Sequence, residues 1–220
     1  MDEVFIAIVL NAQRLMFDAK LLAANGSYQS AVSLAILSLE ESGKACIVRW
    51  KRSGLITRDA SKDLYVGHIP KQRILGGYLF VKAAYEVAFF DKDGNPVEPP
   101  DDDEIVERAA KAGYESGGRM TFYAESGALD FMKMAGFYVD LNDKLEVISK
   151  GGDIQAGDAA RHIRDAELGI EMARSSPRIH RGMAAVYELG PHHKIRKRSR
   201  ELHEAVWAAI GPANLDDEQV

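Results

Sequence analysis

The chain has 220 residues, of which 46% are hydrophobic and 28% are charged, and these proportions are typical of a soluble globular protein. The formal net charge of −5 at pH 7 excludes a general electrostatic attraction for nucleic acid. The single cysteine, Cys46, excludes an internal disulfide and a multi-cysteine zinc site, and it fits a reducing compartment best.

The N-terminal segment begins with acidic residues, and its apolar run is too short to span a bilayer. We therefore expect a cytoplasmic protein with no signal peptide and no membrane contact. Apolar residues recur at helical spacing over residues 5–22, which predicts an amphipathic helix over about 2–24. The dipeptide Asn25-Gly26 ends this helix. Ser27 is the expected cap of a second helix that continues to about residue 53, so the two helices form an antiparallel hairpin.

Three charges lie in the otherwise apolar middle of the second helix: Glu40, Glu41 and Lys44. At 100° per residue, Glu40 and Lys44 lie one turn apart, and Glu41 and Lys44 are near neighbours. At least one carboxylate and the ammonium should be partly desolvated, which is costly unless the charges are paired. Two interpretations stay open. The group locks the helix against a neighbour or a dimer mate, or it forms a site that tunes a general base or holds a phosphate.

The entrance of a later helix carries two further candidate site residues. We expect a short helix over residues 57–67, capped by Thr57, and then a helix over residues 70–90 that begins at a proline. His68 and Lys71 lie where an imidazole and an amine can meet an anion at free backbone N–H groups. A histidine at such a junction more often has no chemical role. A site shared with the charges of the second helix is a further hypothesis.

The middle of the chain contains a loop, a helix and a hairpin. Residues 91–103 include three of the seven prolines, which predicts an exposed loop. We expect a helix over residues 103–112, whereas residues 114–125 contain glycines, lack a clean period and are expected to be irregular. Alternating segments on both sides of Asn142-Asp143 predict a small β-hairpin insertion over about residues 136–149.

The last third of the chain returns to helix. Three helices are expected, at residues 154–173, 179–189 and 198–210. Residues 192–200 carry five of the basic residues and form either a solvated helix start or a local phosphate-binding surface. Residues 211–220 are expected to be an acidic, disordered tail. The predicted fold class is mainly α, a single antiparallel helical bundle over residues 1–210 with the hairpin as an insertion.

Three segments resemble the AbiV family of bacterial abortive-infection proteins. They are NAQRLMFDAKLLAANGSYQSAVSLAILSLEESGKA at residues 11–45, the His-x-x-Lys step at His68 and Lys71, and GFYVDL at residues 136–141. The resemblance covers roughly the first 175 residues, and the Glu40, Glu41 and Lys44 group matches the family's Leu-Glu-Glu-x-Gly-Lys segment residue by residue.

The AbiV family is similar to the HEPN superfamily of all-α domains, many of which dimerise and several of which cleave RNA. The resemblance therefore implies a HEPN-like bundle that acts in phage defence by stopping growth or translation in the infected cell. The partners that it implies are a second copy of the chain, RNA or the translation apparatus, and a phage-encoded activator protein.

HEPN ribonucleases carry an arginine and a histidine separated by four to six residues, and this resemblance suggests two catalytic pairs. In that chemistry the histidine moves a proton and the arginine stabilises the developing charge, with no metal required. Arg174 with His180 fits the spacing, and so does Arg198 with His203. The short pattern also arises by chance, and Pro177 interrupts the first pair. The second pair lies on an expected helix beside the basic residues 192–200.

Two classes of function remain open from the sequence. The first is an anti-phage effector that binds the translation apparatus or cleaves RNA without a metal. The second is a non-catalytic helical module for protein interaction, in which the charges of the second helix are wholly structural. No nucleotide-binding loop and no Ser-His-Asp order rises above chance, and we expect no cofactor and no metal.

Overall fold

The computed structural model of the protein describes residues 3–57, 59–89, 103–137, 140–141, 147–149 and 154–188. Within these residues the chain is mainly helical, as the sequence predicts. The helices are α1 (Glu3–Ala24), α2 (Tyr28–Arg52), α3 (Ser61–Tyr65), α4 (Ile69–Phe89), α5 (Asp103–Glu125), α6 (Ala128–Ala135), α7 (Ala156–Arg174) and α8 (Pro177–Glu188). Two short strands are also described, β1 (Asp140–Leu141) and β2 (Val147–Ser149).

The first two helices form the predicted antiparallel hairpin. Their bounds agree with the sequence prediction to within one residue. Gly26 has a φ of 77°, a left-handed conformation that favours glycine and lets the chain reverse in a very short turn. Ser27 occupies the predicted N-cap position, but its side chain makes no capping hydrogen bond. The ψ of 65° at Ser27 is far from the extended value that a capping serine normally adopts.

The next two helices were predicted with unequal success. α4 begins and ends within one residue of the prediction. α3 is shorter than predicted and begins at Ser61, so Thr57 lies outside it and does not cap it. Asp59 makes the turn before α3, where its carboxylate accepts a hydrogen bond from the backbone N–H of Ser61 at 2.9 Å. Such a local side-chain bond favours a turn over a helix.

α5 is continuous, so the prediction of irregular structure over residues 114–125 is wrong. The glycines of α5 obscure its hydrophobic period in the sequence, and they allow α5 to pack closely against α4. A Cβ on Gly76 would lie 3.0 Å from the carbonyl oxygen of Gly117, and a Cβ on Gly113 would lie 2.7 Å from the ring of Phe80. Because larger residues would clash at these points, the close contact of the two helices outweighs the weak helix propensity of glycine.

A short helix that the sequence did not predict, α6, precedes the two strands. Gly127, with a φ of 77°, introduces it. β1 and β2 pair antiparallel, with Asp140 opposite Ser149. Residues 142–146, which hold the predicted turn, lie outside the described residues, and the β-hairpin insertion as a whole stays a prediction.

The last two described helices, α7 and α8, agree with the predicted pair to within about two residues. Pro177 is the first residue of α8, where its missing N–H has no cost. Three other predictions lie outside the described residues: most of the loop over 91–103, the helix over 198–210 and the tail over 211–220. The single domain over residues 1–210 likewise stays a prediction.

α2 lies at the centre of the described helices and packs against α1, α4, α6 and α7. Its buried face includes Ile36, Leu39, Ile47 and Trp50, each at most 1% exposed. Small residues between them, such as Gly43, let a neighbour approach, because a Cβ there would meet the backbone of Lys71 at the start of α4. This central position explains why a charged residue on the buried face of α2 meets groups from other helices.

Candidate functional site

Glu40 of α2 is a buried carboxylate at the centre of a polar cluster. Only 4% of this residue is exposed. Its Oε1 lies 2.7 Å from the ammonium of Lys133 on α6 and accepts a hydrogen bond from Gln72 Nε2 of α4 at 2.8 Å. Its Oε2 lies 2.8 Å from Nδ1 of His68, one residue before α4. With Asp130 of α6, these residues form what we name the Glu40 cluster.

The helical spacing allows Lys44 to pair with either Glu40 or Glu41, and the structure shows only the second pairing. Lys44 pairs with Glu41 at 3.0 Å and makes no ion pair with Glu40. Asn11 of α1 also donates a hydrogen bond to Glu41 at 3.3 Å. The side chains of Lys44 and Glu41 are 30% and 22% exposed, so this pair lies at the margin of the protein. The desolvated carboxylate is therefore Glu40, and its counter-ion comes from another helix.

Lys133 supplies that counter-ion and has a second carboxylate partner. Its ammonium donates to Asp130 Oδ1 at 2.7 Å, and its side chain is 8% exposed. Burial by itself lowers the pKa of Lys133, but the hydrogen bonds to Asp130 and Glu40 outweigh burial and the pKa is raised. Lys133 therefore stays charged at neutral pH and holds two carboxylates together.

Sequence reasoning missed three members of the cluster: Gln72, Asp130 and Lys133. Asp130 and Lys133 are spaced i, i+3 and so share one face of α6, whose remaining residues are apolar. This isolated charge pair was the available signal, but α6 itself was not predicted. Gln72 is fully buried, and its Nε2 also donates to Asp130 Oδ1 at 3.1 Å. Its Oε1 has no hydrogen-bond partner within the described part of the chain.

The Glu40 cluster opens to solvent through His68 and Asp130, whose side chains are 48% and 34% exposed. Because a carboxylate only accepts hydrogen bonds, the contact with Glu40 requires a proton on Nδ1 of His68, and in the neutral tautomer with that proton Nε2 is an acceptor. Both residues line an open cavity of about 450 Å³. Its other described lining residues are Leu37, Lys133, Met134 and Phe137. A group that enters this cavity meets both polar and apolar side chains.

Lys71, predicted as a partner of His68, lies beside the cluster and makes no direct ion pair with the described residues. It is 7% exposed. Burial lowers its pKa, and the nearby carboxylate of Glu40 offsets this effect only in part. The structure thus brings His68 into direct contact with Glu40 and places Lys71 within electrostatic range of it. Their chemical role stays a prediction.

Glu40, His68 and Asp130 also have the geometry of a metal-ligand set. One ligand atom from each lies within 4.8 Å of the others. The Lys133 ammonium, however, lies among them, 2.7 Å from each carboxylate and 3.2 Å from the His68 nitrogen. A metal ion would have to displace this internal cation, so the donor set as arranged does not fit one.

The first predicted catalytic pair, Arg174 and His180, is not brought together as an open site. His180 is fully buried, and its Nδ1 accepts a hydrogen bond from Trp50 Nε1 at 2.9 Å. Its Nε2 therefore carries the proton and donates to the Ala173 carbonyl at 3.2 Å. Arg174 instead donates to Gln13 at 2.8 Å. The catalytic role stays a prediction, and this geometry disfavours it because no ring nitrogen is available to a substrate.

The environment of His180 also keeps its ring neutral. Burial, reinforced by the charge of Arg49, lowers the pKa of His180 to about 4. The second predicted pair, Arg198 and His203, and the basic residues 192–200 lie outside the described residues. Their roles stay predictions.

A second polar cluster, which the sequence did not indicate, ties α5 to α7. Asp165 is 4% exposed and accepts a hydrogen bond from Arg119 at 3.2 Å. Burial raises the pKa of Asp165 and lowers that of the neighbouring His162 to about 4. His162 is only 3% exposed, so it is neutral at physiological pH and out of reach of a substrate.

Comparison with known proteins gives one match. A family model described as AbiV, of the HEPN type, matches residues 2–171. The matched segment contains the whole Glu40 cluster and ends before Arg174. No curated protein and no solved structure matches the chain. Among the described residues, no helix combines the length and the apolar character needed to cross a membrane.

Proposed function

The chain belongs to the AbiV family, and we propose that it is an anti-phage effector that halts growth or translation in infected bacterial cells. We further propose that it acts in the cytoplasm by binding a protein of the translation apparatus. The observation that carries this proposal is the open cavity at the Glu40 cluster. It lies within the family-matched segment, and it combines exposed polar groups with an exposed apolar wall.

The test is phage infection of bacteria that express the protein. We expect fewer plaques and a fall in the incorporation of labelled amino acids after infection. Met134 is 45% exposed at the cavity, so Met134→Asp should remove protection without unfolding the protein. The matched control is Tyr65→Asp, because Tyr65 is 81% exposed on α3 and does not line the cavity. Protection that survives Met134→Asp would contradict binding through this surface.

RNA cleavage is the second candidate mechanism, favoured by the basic residues 192–200, which include Arg198 and lie just before His203 in the sequence. The test is incubation of the purified protein with total bacterial RNA and tRNA in EDTA, with and without a lysate of infected cells. Cleavage that His203→Ala abolishes would establish a metal-independent ribonuclease. If wild-type protein leaves the RNA intact under both conditions, cleavage is excluded and the binding mechanism remains.

The alternative from another class of function is a protein-interaction module without effector activity, in which the Glu40 cluster has a purely structural role. The cluster links α2, α4 and α6 through short, buried hydrogen bonds, which is the arrangement that such a role needs. In that case variants of the cluster should lose stability and protection in parallel. Loss of protection at unchanged stability would argue for a functional site.

We propose that the outer face of α1 binds a second copy of the chain and so forms a homodimer. Four apolar residues form a stripe there: Ile6, Leu10, Phe17 and Leu21, between 37% and 58% exposed. Their spacing is symmetric about the centre of the helix, so a second copy running antiparallel would place apolar residues on apolar residues. Analytical ultracentrifugation should show a dimer that Leu10→Glu dissociates. A monomeric wild-type protein at micromolar concentration would contradict the proposal.

A further inference from the structure

The Glu40 cluster contains more negative than positive charges, and one of its carboxylates lines the cavity. Glu40 and Asp130 contribute two negative charges, and Lys133 contributes one positive charge. With His68 in its neutral form the cluster keeps one net negative charge. Lys71 lies near Glu40 but is 93% buried from solvent and does not line the cavity. The charge that a visiting group meets first is therefore that of Asp130, the more exposed carboxylate.

The hydrogen-bonding groups that remain available on the lining residues are acceptors. Asp130 uses Oδ1 for both of its bonds within the described chain, which leaves Oδ2 as an acceptor. His68 donates through Nδ1 to Glu40, which leaves Nε2 as a second acceptor. The Lys133 ammonium donates its hydrogen bonds to Glu40 and Asp130, so it offers little to an anion. A phosphate would meet a carboxylate with no compensating donor.

Beside these acceptors the cavity wall is apolar. Leu37, Met134 and Phe137 line it, and Met134 and Phe137 are 45% and 47% exposed. The cavity thus suits a group that has an apolar stem and a charged end rich in N–H donors. A guanidinium presents five such donors in a planar fork, and its carbon stem buries against apolar surface.

We propose that the cavity binds an arginine side chain of a partner protein, with the guanidinium on Asp130 and His68 and the stem against Met134 and Phe137. The biological occupant rests on the proposed function, because it would be a basic segment of the protein that the effector binds. The chemistry of the site is separate from that function. It is tested with a small probe on the purified, full-length protein.

The probe is N-acetylarginine amide, and the control is N-acetylcitrulline amide, which has the same length but a neutral end. Binding is followed by the NMR resonances of the His68 ring in protein with labelled histidines, assigned with His68→Gln. We expect the arginine probe to shift these resonances in a saturable way and the citrulline probe to bind at least about tenfold more weakly. His162 and His180, which are buried and lie outside the cavity, should not respond.

Two variants test the assigned contacts. Asp130→Asn should weaken binding of the arginine probe about tenfold, because it removes the charge while keeping the shape. Asp18→Asn is the matched control, since Asp18 pairs with Arg14 on the exposed surface of α1 and should leave binding unchanged. If Asp130→Asn disturbs the fold, Met134→Ala provides an independent test, with an expected loss of several-fold from the lost stem contact.

Several results would overturn the inference. Equal binding of both probes would indicate an apolar groove without charge selectivity, and no saturable shift would exclude the site. A shift of His68 by inorganic phosphate or uridine monophosphate but not by arginine would assign the cavity to nucleic acid. A shift produced by raising the protein concentration alone would assign it to a second copy of the chain. A protein that protects against phage yet fails to bind the probe refutes this inference and leaves the proposed function standing.

Discussion

Replacing Lys133 with methionine tests whether the Glu40 cluster holds the helices together. Lys133→Met keeps the apolar stem but removes the ammonium, so the buried Glu40 loses its 2.7 Å ion pair. Removing one partner of a buried ion pair typically costs 3–5 kcal/mol, because the remaining charge is uncompensated. Glu40 keeps its hydrogen bonds from His68 and Gln72, so we expect a loss of about 3 kcal/mol, at the lower end of that range. The measurement is urea unfolding followed by circular dichroism.

The matched control is Lys44→Met, the same substitution in an ion pair on the neighbouring turn. Lys44 and Glu41 are 30% and 22% exposed, so solvent already screens their attraction. We expect a loss below about 1 kcal/mol for this variant. The double variant Glu40→Gln with Lys133→Met should lose at least about 1 kcal/mol less than the sum of the single variants, because it leaves no lone buried charge. Equal losses for Lys133→Met and Lys44→Met, or additive losses in the double variant, would refute the reasoning.

Three further predictions follow from other parts of the fold. The pKa of His180 is lowered to about 4 in the folded protein, so the unfolded chain takes up a proton first as the pH falls. The free energy of unfolding should therefore decrease between about pH 6.5 and pH 4. In His180→Gln this decrease should be less steep. Urea midpoints at pH 7.5, 6 and 5 measure this, and a midpoint independent of pH contradicts it. Burial raises the pKa of Cys46 to about 12, so Ellman's reagent at pH 8 should modify it only after unfolding; rapid reaction of the native protein would be the contrary result. Gly76→Ala should destabilise the protein by about 1–3 kcal/mol because its Cβ meets α5, whereas Gly77→Ala, whose Cβ meets nothing within 4 Å, should stabilise it by up to about 1 kcal/mol. Thermal melts distinguish these two, and equal shifts would contradict the packing argument.

The helical boundaries were largely predictable because they depend on local sequence. The hydrophobic period of α1 and α2, the turn at Gly26 and the prolines at the starts of α4 and α8 are all visible in the chain. α5 was predicted only in part, since Gly113 and Gly117 weaken the pattern of a helix. Their use is visible only when α4 is in place, because the contact that needs them comes from Gly76 and Phe80.

The candidate site was likewise predictable only in part. The sequence alone marked Glu40 and Glu41 as unusual, because two carboxylates in an apolar helix must find partners. It could not tell which of them is buried, since both lie near Lys44 along the helix. The tertiary structure decided this by placing Lys133 next to Glu40, 93 residues away in the sequence.

The family, the helical class and the residues to examine were thus determined by the sequence, because periodicity and short motifs are local properties. The partners of Glu40, the burial of His180 and the cavity beside His68 were decided by the tertiary structure alone. The physical reason is that an ion pair or a hydrogen bond depends on distances in space. In a helical bundle, residues far apart in the chain become neighbours only when the apolar faces of several helices are buried together.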